Sequence, residues 1–407
     1  MNFEVLYSAA HAEFPDTEPL GGGKAVADYL IREWESSAPF ALSVLSPRAV
    51  GLVGNSPRKT LAELSELEYA RFCRQLERAS TTEILKHDPQ KCIVLSNDIS
   101  EGPDFVALAE QGYRIVTIFH VDVVEYFTKF YLRGLLRPET AARFRWFGVL
   151  PDVLRLVFQK QSECVRHSRR IVVPSVPMRD TILRCYPWCA AEKIVVLPWG
   201  NIGACLPFAN MDRQDAYPTI TDDEFVILTL SRLSPEKGIE RLLKAIARLG
   251  TLNSRVRVVI CGGAAYMKGA AYERKLRRLA AQIKNARIDF TGHVSGAQKT
   301  ALLRRADLFV SPSQHESYGL TIVEAQAAGC RVISHFHYGA SGMVVDCSDP
   351  VALSAALSAI VATGRTQKAT TIDSSRSHAA EQLAELLVLT HSSSQQPVAS
   401  LRACIDY

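Results

Sequence analysis

Two short stretches hold the residues best able to do chemistry together. In Thr229-Leu230-Ser231-Arg232-Leu233-Ser234-Pro235-Glu236-Lys237-Gly238 an apolar strand ends and a turn delivers an Arg and a Lys. About eighty residues later, Glu316-Ser317-Tyr318-Gly319-Leu320-Thr321-Ile322-Val323-Glu324 reads as a loop carboxylate, a Gly-led helix start and a second carboxylate one and a half turns in. Two cations, a helix N-terminus and two acids in this order suit a diphosphate tied to sugars. Cations and free helix amides hold phosphates. Ionised carboxylates are acceptors only and take hydrogen bonds from hydroxyls. The plainer reading is a surface Arg and Lys in a turn, an acid favoured by a helix dipole and a solvated helix residue.

The chain must be large enough to position such a set, and it is. Its 407 residues predict two or three domains. Hydrophobic residues at 47% and charged residues at 22% are ordinary for a globular protein. The start, Met1-Asn2-Phe3-Glu4-Val5-Leu6-Tyr7-Ser8, reads as a first buried strand and not as a secretory leader. No apolar run reaches the ~18 residues of a membrane-spanning helix, so the expected location is cytoplasmic. The ten cysteines are scattered, and Cys185 and Cys189 have no second pair at zinc spacing. Buried free thiols in a reducing compartment are expected.

The net charge of +5 is too mild to be a nucleic-acid signature, so no nucleic-acid partner is expected. It is uneven, however. Residues 129–170 hold ten Lys/Arg against three acids, interleaved with aromatic and aliphatic residues. One reading is a basic amphipathic surface that touches an anionic membrane peripherally. The other is ordinary core helices with solvated Arg outside.

Strand and helix patterns alternate, which predicts α/β layers with doubly wound sheets. In the first half strands are expected at 3–8, 41–45, 92–96, 114–119, 170–173 and 194–197, with helices at 24–34, 61–77 and 151–166 among those between. The segment 198–223 contains Pro198, Gly200, Gly203, Pro207 and Pro218 and reads as a linker. The alternation then restarts, with strands at 225–230, 257–261, 287–291, 308–310 and 331–334. Helices are expected there at 236–249, 266–284, 297–305, 319–328 and about 350–361. The domain reading is 1–200, a linker 201–223, 224–376, a returning helix 377–391 and a loose tail 392–407.

In this order the pieces resemble the retaining glycosyltransferases of family 4. They include Gly21-Gly22-Gly23, Ile118-Phe119-His120, Leu197-Pro198-Trp199-Gly200-Asn201, Ser231-Arg232 with Lys237-Gly238, and Ile260-Cys261-Gly262-Gly263. Further on come Asp289-Phe290-Thr291-Gly292-His293-Val294, Ala306-Asp307-Leu308-Phe309-Val310-Ser311-Pro312-Ser313 and Glu316 to Glu324. The resemblance implies the GT-B fold, two Rossmann-like domains facing across a cleft, closed by a C-terminal crossover helix at 377–390. It implies catalytic roles for Arg232, Lys237, Glu316 and His120. Glu316 would meet the donor sugar and Glu324 the ribose, with the amides of Tyr318, Gly319, Leu320 and Thr321 on sugar or phosphate oxygens. Gly22 and Gly23 would close over the phosphates, where a side chain would block the approach. Gly292, His293 and Val294 would contact the base. On the acceptor side stand Asp122, Glu101 and Asp104. The loop from Ala9 to Leu20 is long for such a connection, a place where specificity often resides. One departure from the family pattern stands out: residues 335–342 are about ten residues shorter than usual.

The reaction so implied moves a sugar from a nucleoside-diphosphate sugar to an acceptor hydroxyl with retention at the anomeric carbon. No Asp-x-Asp motif is present, so neither a metal nor a cofactor is expected. A nucleotide-sugar-binding protein without transfer activity, and a GT-B epimerase or phosphorylase, are the competing readings. A dehydrogenase is not, for want of Gly-x-Gly-x-x-Gly after a strand.

Overall fold

The structure, a computed structural model, describes residues 3–12, 21–52, 64–130, 132, 134–143, 152–205, 220–250, 255–264, 269–336, 342–365 and 377–393. Most of the tail, the linker residues 206–219, the loop residues 13–20 and residues 337–341 of the shortened segment lie outside these.

Twelve described strands form two six-stranded, wholly parallel sheets. The first contains β1 (Glu4–Ser8), β2 (Ala41–Leu45), β3 (Cys92–Ser96), β4 (Arg114–Ile118), β5 (Arg170–Val173) and β6 (Ile194–Val196), in the order β2-β1-β3-β4-β5-β6. The second contains β7 (Glu224–Leu230), β8 (Arg255–Cys261), β9 (Arg287–Gly292), β10 (Leu308–Ser311), β11 (Arg331–Ser334) and β12 (Met343–Val344), in the order β12-β11-β10-β7-β8-β9. Helices cover both faces of a parallel sheet, so its central strands are apolar throughout. Every residue of Cys92–Ser96 and of Arg170–Val173 is buried. Each sheet accordingly has a core cluster on either face. Together the two sheets make the GT-B arrangement expected from the sequence.

The helix Ala379–Ser392 follows the second sheet in sequence but packs on the first. Ala379, Ala380, Leu383, Ala384 and Leu387 join the cluster that holds Val5, Tyr7, Leu30 and Trp34. The Trp34 indole donates to the Ala380 carbonyl at 3.0 Å, and the Tyr29 hydroxyl to that of Ser377 at 2.9 Å. The outgoing chain lies beside the returning one: the Ser377 hydroxyl donates to the Trp199 carbonyl at 2.5 Å.

Several element boundaries differ from expectation, for local reasons. The helix expected at 61–77 is Glu66–Ile84, because Ser65 and Glu68 form a capping box that sets its start. The helix expected from 236 begins at Ile239. Before it comes a single tight turn, Pro235–Lys237, closed by Gly238 in the left-handed region. Strand β12 was not expected; it pairs with β11 through Ile333–Met343 and Ser334–Val344.

The basic interval is mixed. Lys160 and Arg170 are buried, whereas Lys129, Arg137, Arg143, Arg155 and Arg166 are exposed. Arg133 and the whole run 144–151, Arg145 included, lie outside the described residues. Among those residues no helix is long and apolar enough to cross a membrane. The eight described free cysteines are all buried.

Leu387 is fully buried between the returning helix and the first sheet. Leu387→Ala should cost about 2–5 kcal/mol in urea unfolding, and Leu389→Ala, at a half-exposed position of the same helix, much less.

Candidate active site in the interdomain cleft

In a parallel sheet the loops after the strands all leave from one edge, and ligands bind there. Here the two carboxyl edges face each other. Lys129 donates to the Gln314 carbonyl at 2.9 Å, Ser175 to the Ser317 carbonyl at 3.0 Å, and the Gly200 amide to the Tyr318 hydroxyl at 2.8 Å. His315 packs edge-on against Tyr126 and Phe130 of the first domain, 5.9 and 6.1 Å between ring centroids. Burial, with Lys129 nearby, pushes this imidazole down to about 4, so at neutral pH it is an uncharged ring.

On the second-domain side, Arg232 leaves the end of β7 and Lys237 leaves the tight turn after it. Lys237 Nζ lies 2.6 Å from Glu316 Oε1, with both side chains largely shielded from solvent. Arg232 lies 3.9 Å from Glu236 Oε1. The loop is held in place from β8. Gly262 has φ 146°, and a Cβ there would run into the Ser231 carbonyl oxygen. Glu316 precedes the helix Leu320–Ala327, whose N-cap is Gly319 with φ 85°. No side chain caps this helix start, so its first amides have no side-chain acceptor within the helix cap. One and a half turns in, Glu324 Oε1 meets Lys299 Nζ at 2.7 Å. At the end of β9, Gly292 takes φ 74°; beyond it His293 is exposed and Val294 is buried in the core.

On the first-domain side, Gly21–Gly23 lead into the helix Gly22–Ser37. A Cβ on Gly21 would lie 3.6 Å from Arg232 Nε, one on Gly22 3.5 Å from Leu320 Cδ1, and one on Gly23 3.5 Å from His120 Cδ2. Gly21 and Gly22 therefore lie against the second domain, and Gly23 against His120 of the first. From the linker, a Cβ on Gly203 would lie 2.8 Å from Glu324 Oε1. His120 Nε2 is 3.0 Å from Asn97 Oδ1, the same oxygen to which the Tyr7 hydroxyl donates at 2.7 Å. Burial pushes His120 down to about 4, against the pull of Asp98. It is thus neutral at pH 7 and donates through Nε2–H, leaving Nδ1 as an acceptor.

The three expected acceptor-side acids fare differently. The Asp104 carboxylate caps the helix Phe105–Glu110, accepting from the amides of Val106 and Ala107. Asp122 is wholly buried and accepts from the Glu125 amide at 2.7 Å and from Gln161 at 3.1 Å. Burial raises it to about 6. Both carboxylates are thus taken up in holding helix ends, a use that an Asp before a helix signals in sequence. Glu101 accepts from the Tyr69 hydroxyl at 2.5 Å and is raised by burial and by the Asp98 charge.

Two neighbours of the site were not anticipated. Lys299, on the helix Gly296–Arg305, partners Glu324. His11, just after β1, places Nδ1 3.0 Å from Asp98 Oδ1. The only sequence signal for His11 was its place in the unusually long loop after Ala9.

Residues 210–360 match the family model of the glycosyl transferases group 1. This segment is similar to the group 1 glycosyl transferases and lies on a GT-B fold. Among curated proteins it is 31% identical over 190 residues to the lipopolysaccharide 1,2-N-acetylglucosaminetransferase of Salmonella typhimurium, covering 46% of this chain and 49% of that one. It is 29% identical over 205 residues to the D-inositol 3-phosphate glycosyltransferase of Streptomyces scabiei, covering 47% and 46%. The matched segment thus spans about half the length of these relatives. Two solved structures share the fold over nearly the whole chain. Anabaena HepE in complex with UDP and glucose has TM-score 0.61 and 17% identity, covering 96% of this chain and 97% of that one. The sucrose-phosphate synthase of Thermosynechococcus elongatus has TM-score 0.66 and 17% identity, covering 96% of each.

Gly262 is the point at which β8 locks the Arg232 loop. Gly262→Ala should destabilise the protein by about 1–3 kcal/mol in chemical unfolding, since both the backbone angle and the contact oppose a side chain. Gly250→Ala, where nothing lies within 4 Å of an added Cβ, is the matched control.

Proposed function

We propose that the chain is a retaining glycosyltransferase, moving a sugar from a nucleoside diphosphate, UDP or GDP, to an acceptor hydroxyl. One observation carries the reading. Arg232, the Lys237–Glu316 pair and the uncapped start of the helix Leu320–Ala327 are brought to the cleft edge of the second domain, opposite Gly21–Gly23 of the first. The names of the curated relatives support the reaction class.

In this reading the diphosphate lies between Arg232, Lys237 and the helix amides. These groups meet the negative charge that grows on the phosphate as the sugar departs. They supply the positive charge themselves, so the proposed mechanism needs no metal and no cofactor. Glu316 is oriented by Lys237 and accepts from donor-sugar hydroxyls, and Glu324, oriented by Lys299, takes the ribose. Gly292, His293 and Val294 meet the base through main chain, the Val294 side chain being buried in the core. His120, neutral, turns its ring toward the reacting sugar.

The acceptor attacks from the face the phosphate leaves, and its proton passes to the departing phosphate oxygen. Such a front-face step asks mainly for positioning and charge. Engaged by Lys237 at 2.6 Å, Glu316 is better placed to bind hydroxyls than to act as a nucleophile. Closure of the domains over the donor keeps water out and limits hydrolysis. The acceptor enters from the first domain near Glu101. We place the reaction in the cytoplasm. The exposed Lys129, Arg137, Arg143, Arg155 and Arg166 supply a basic face suited to an anionic membrane.

A panel of nucleotide sugars read by thermal shift should show stabilisation by at least one donor. With that donor, Lys237→Ala and Glu316→Ala should each lower transfer about 10²–10³-fold while the melting curve keeps its shape. Stabilisation by no member of the panel would remove the donor reading. An inverted anomeric centre in the product, read by NMR, would remove retention.

A further inference from the structure

The proposed mechanism leaves one buried charged pair unused. His11 follows β1, Asp98 follows β3, and their side chains meet at 3.0 Å with 14% and 8% of their surface exposed. Asp98 is fully engaged on its own side. Its second oxygen accepts from the Ala10 amide at 2.9 Å. The His11 ring is thereby fixed by its Nδ1, and its Nε2 has no partner among the described residues.

The pair borders the phosphate site. A Cβ on Gly23 would lie 3.7 Å from Asp98 Oδ1, and one on Gly21 3.6 Å from Arg232 Nε. These two contacts and the two residues of chain between them place the Asp98 carboxylate within roughly 14 Å of the guanidinium of the opposite domain.

Resting on the donor reading above, we propose that His11 is a donor-binding residue. Its Nε2–H donates to a phosphate oxygen of the nucleotide sugar, so the first domain grips the diphosphate across from Arg232. Asp98 is then a positioning residue, acting through the imidazole by setting its tilt and holding its proton.

The charges around His11 agree. Burial alone would lower its pKa, and the Asp98 carboxylate, by charge and by hydrogen bond, reverses this and lifts it to about 9. Glu101 raises it further and Arg232 lowers it. His120, also facing the pair, is neutral at pH 7. Asp98 in turn is held below the usual carboxylate range: burial opposes this, and His11 overcomes the opposition. The imidazolium therefore persists through neutral pH and is lost only as pH rises through about 9. Without the Asp98 charge, burial would win, and the proton would be lost at or below the ordinary imidazole value of about 6.5.

The test is calorimetric binding of UDP-glucose and GDP-mannose between pH 5 and 8, where their diphosphate does not titrate. With whichever the wild type binds, affinity should be flat over this range. His11→Gln should bind about ten-fold more weakly at every pH, the loss of one charge-assisted hydrogen bond. Asp98→Asn should match the wild type near pH 5 and fall to the His11→Gln level by pH 8, and the double variant should lose that limb. A purely structural role for the pair would not place a pH limb in one variant and remove it in the other.

Wild-type affinity in His11→Gln, or a flat profile in Asp98→Asn, overturns the assignment. If Arg232→Ala abolishes binding while His11→Gln does not, only the His11 assignment falls. If the wild type binds no member of the nucleotide-sugar panel, the donor reading falls and takes this one with it.

Discussion

Parallel strands constrain this molecule more than any single contact. Each needs a crossover to return the chain, so all carboxyl ends in a sheet leave from one edge. Two such sheets set edge to edge bring twelve loops toward one gap. The chain then has to cross between domains, and it does so twice at adjacent places. Trp199 on the way out and Ser377 on the way back share a hydrogen bond. The returning helix is anchored by Trp34 and Tyr29 of the first domain. The cleft is thus framed at its base by burial of apolar surface and at its mouth by polar contacts between loops.

Within that frame, electrostatics are set by which cation meets which acid. His11 and His120 lie on either side of Asp98, both in buried surroundings. One makes a direct bond with the carboxylate and is raised; the other bonds a neutral amide, and burial lowers it. The acids differ in their partners. Glu316 and Glu324 each meet a lysine at the cleft, whereas Asp122 meets only an amide donor and a glutamine and is raised by burial.

Much of the fold was legible in the chain itself. Buried parallel strands are short apolar runs bounded by turns, and β2, β3, β5 and β11 fell where those runs fall. Arg232, Lys237, Glu316 and Glu324 stood out because each sits in a contiguous motif. The boundaries that moved did so through local chemistry, the Ser65–Glu68 capping box and the tight turn Pro235–Lys237. The Asp104 and Asp122 caps were also local and readable, but a carboxylate at a strand end invites a functional reading first.

What the tertiary structure alone decided is pairing. Lys237 finds Glu316 across 79 residues, His11 finds Asp98 across 87, and Lys299 finds Glu324 across 25. The sequence by itself determined element types, the two-domain order and the residue classes at the strand ends, because those follow from hydrophobic period and turn chemistry within a few neighbours. It could not determine which acid quiets which base. That depends on distances through space, and only the facing of two sheets and the crossing of the chain between them set those distances.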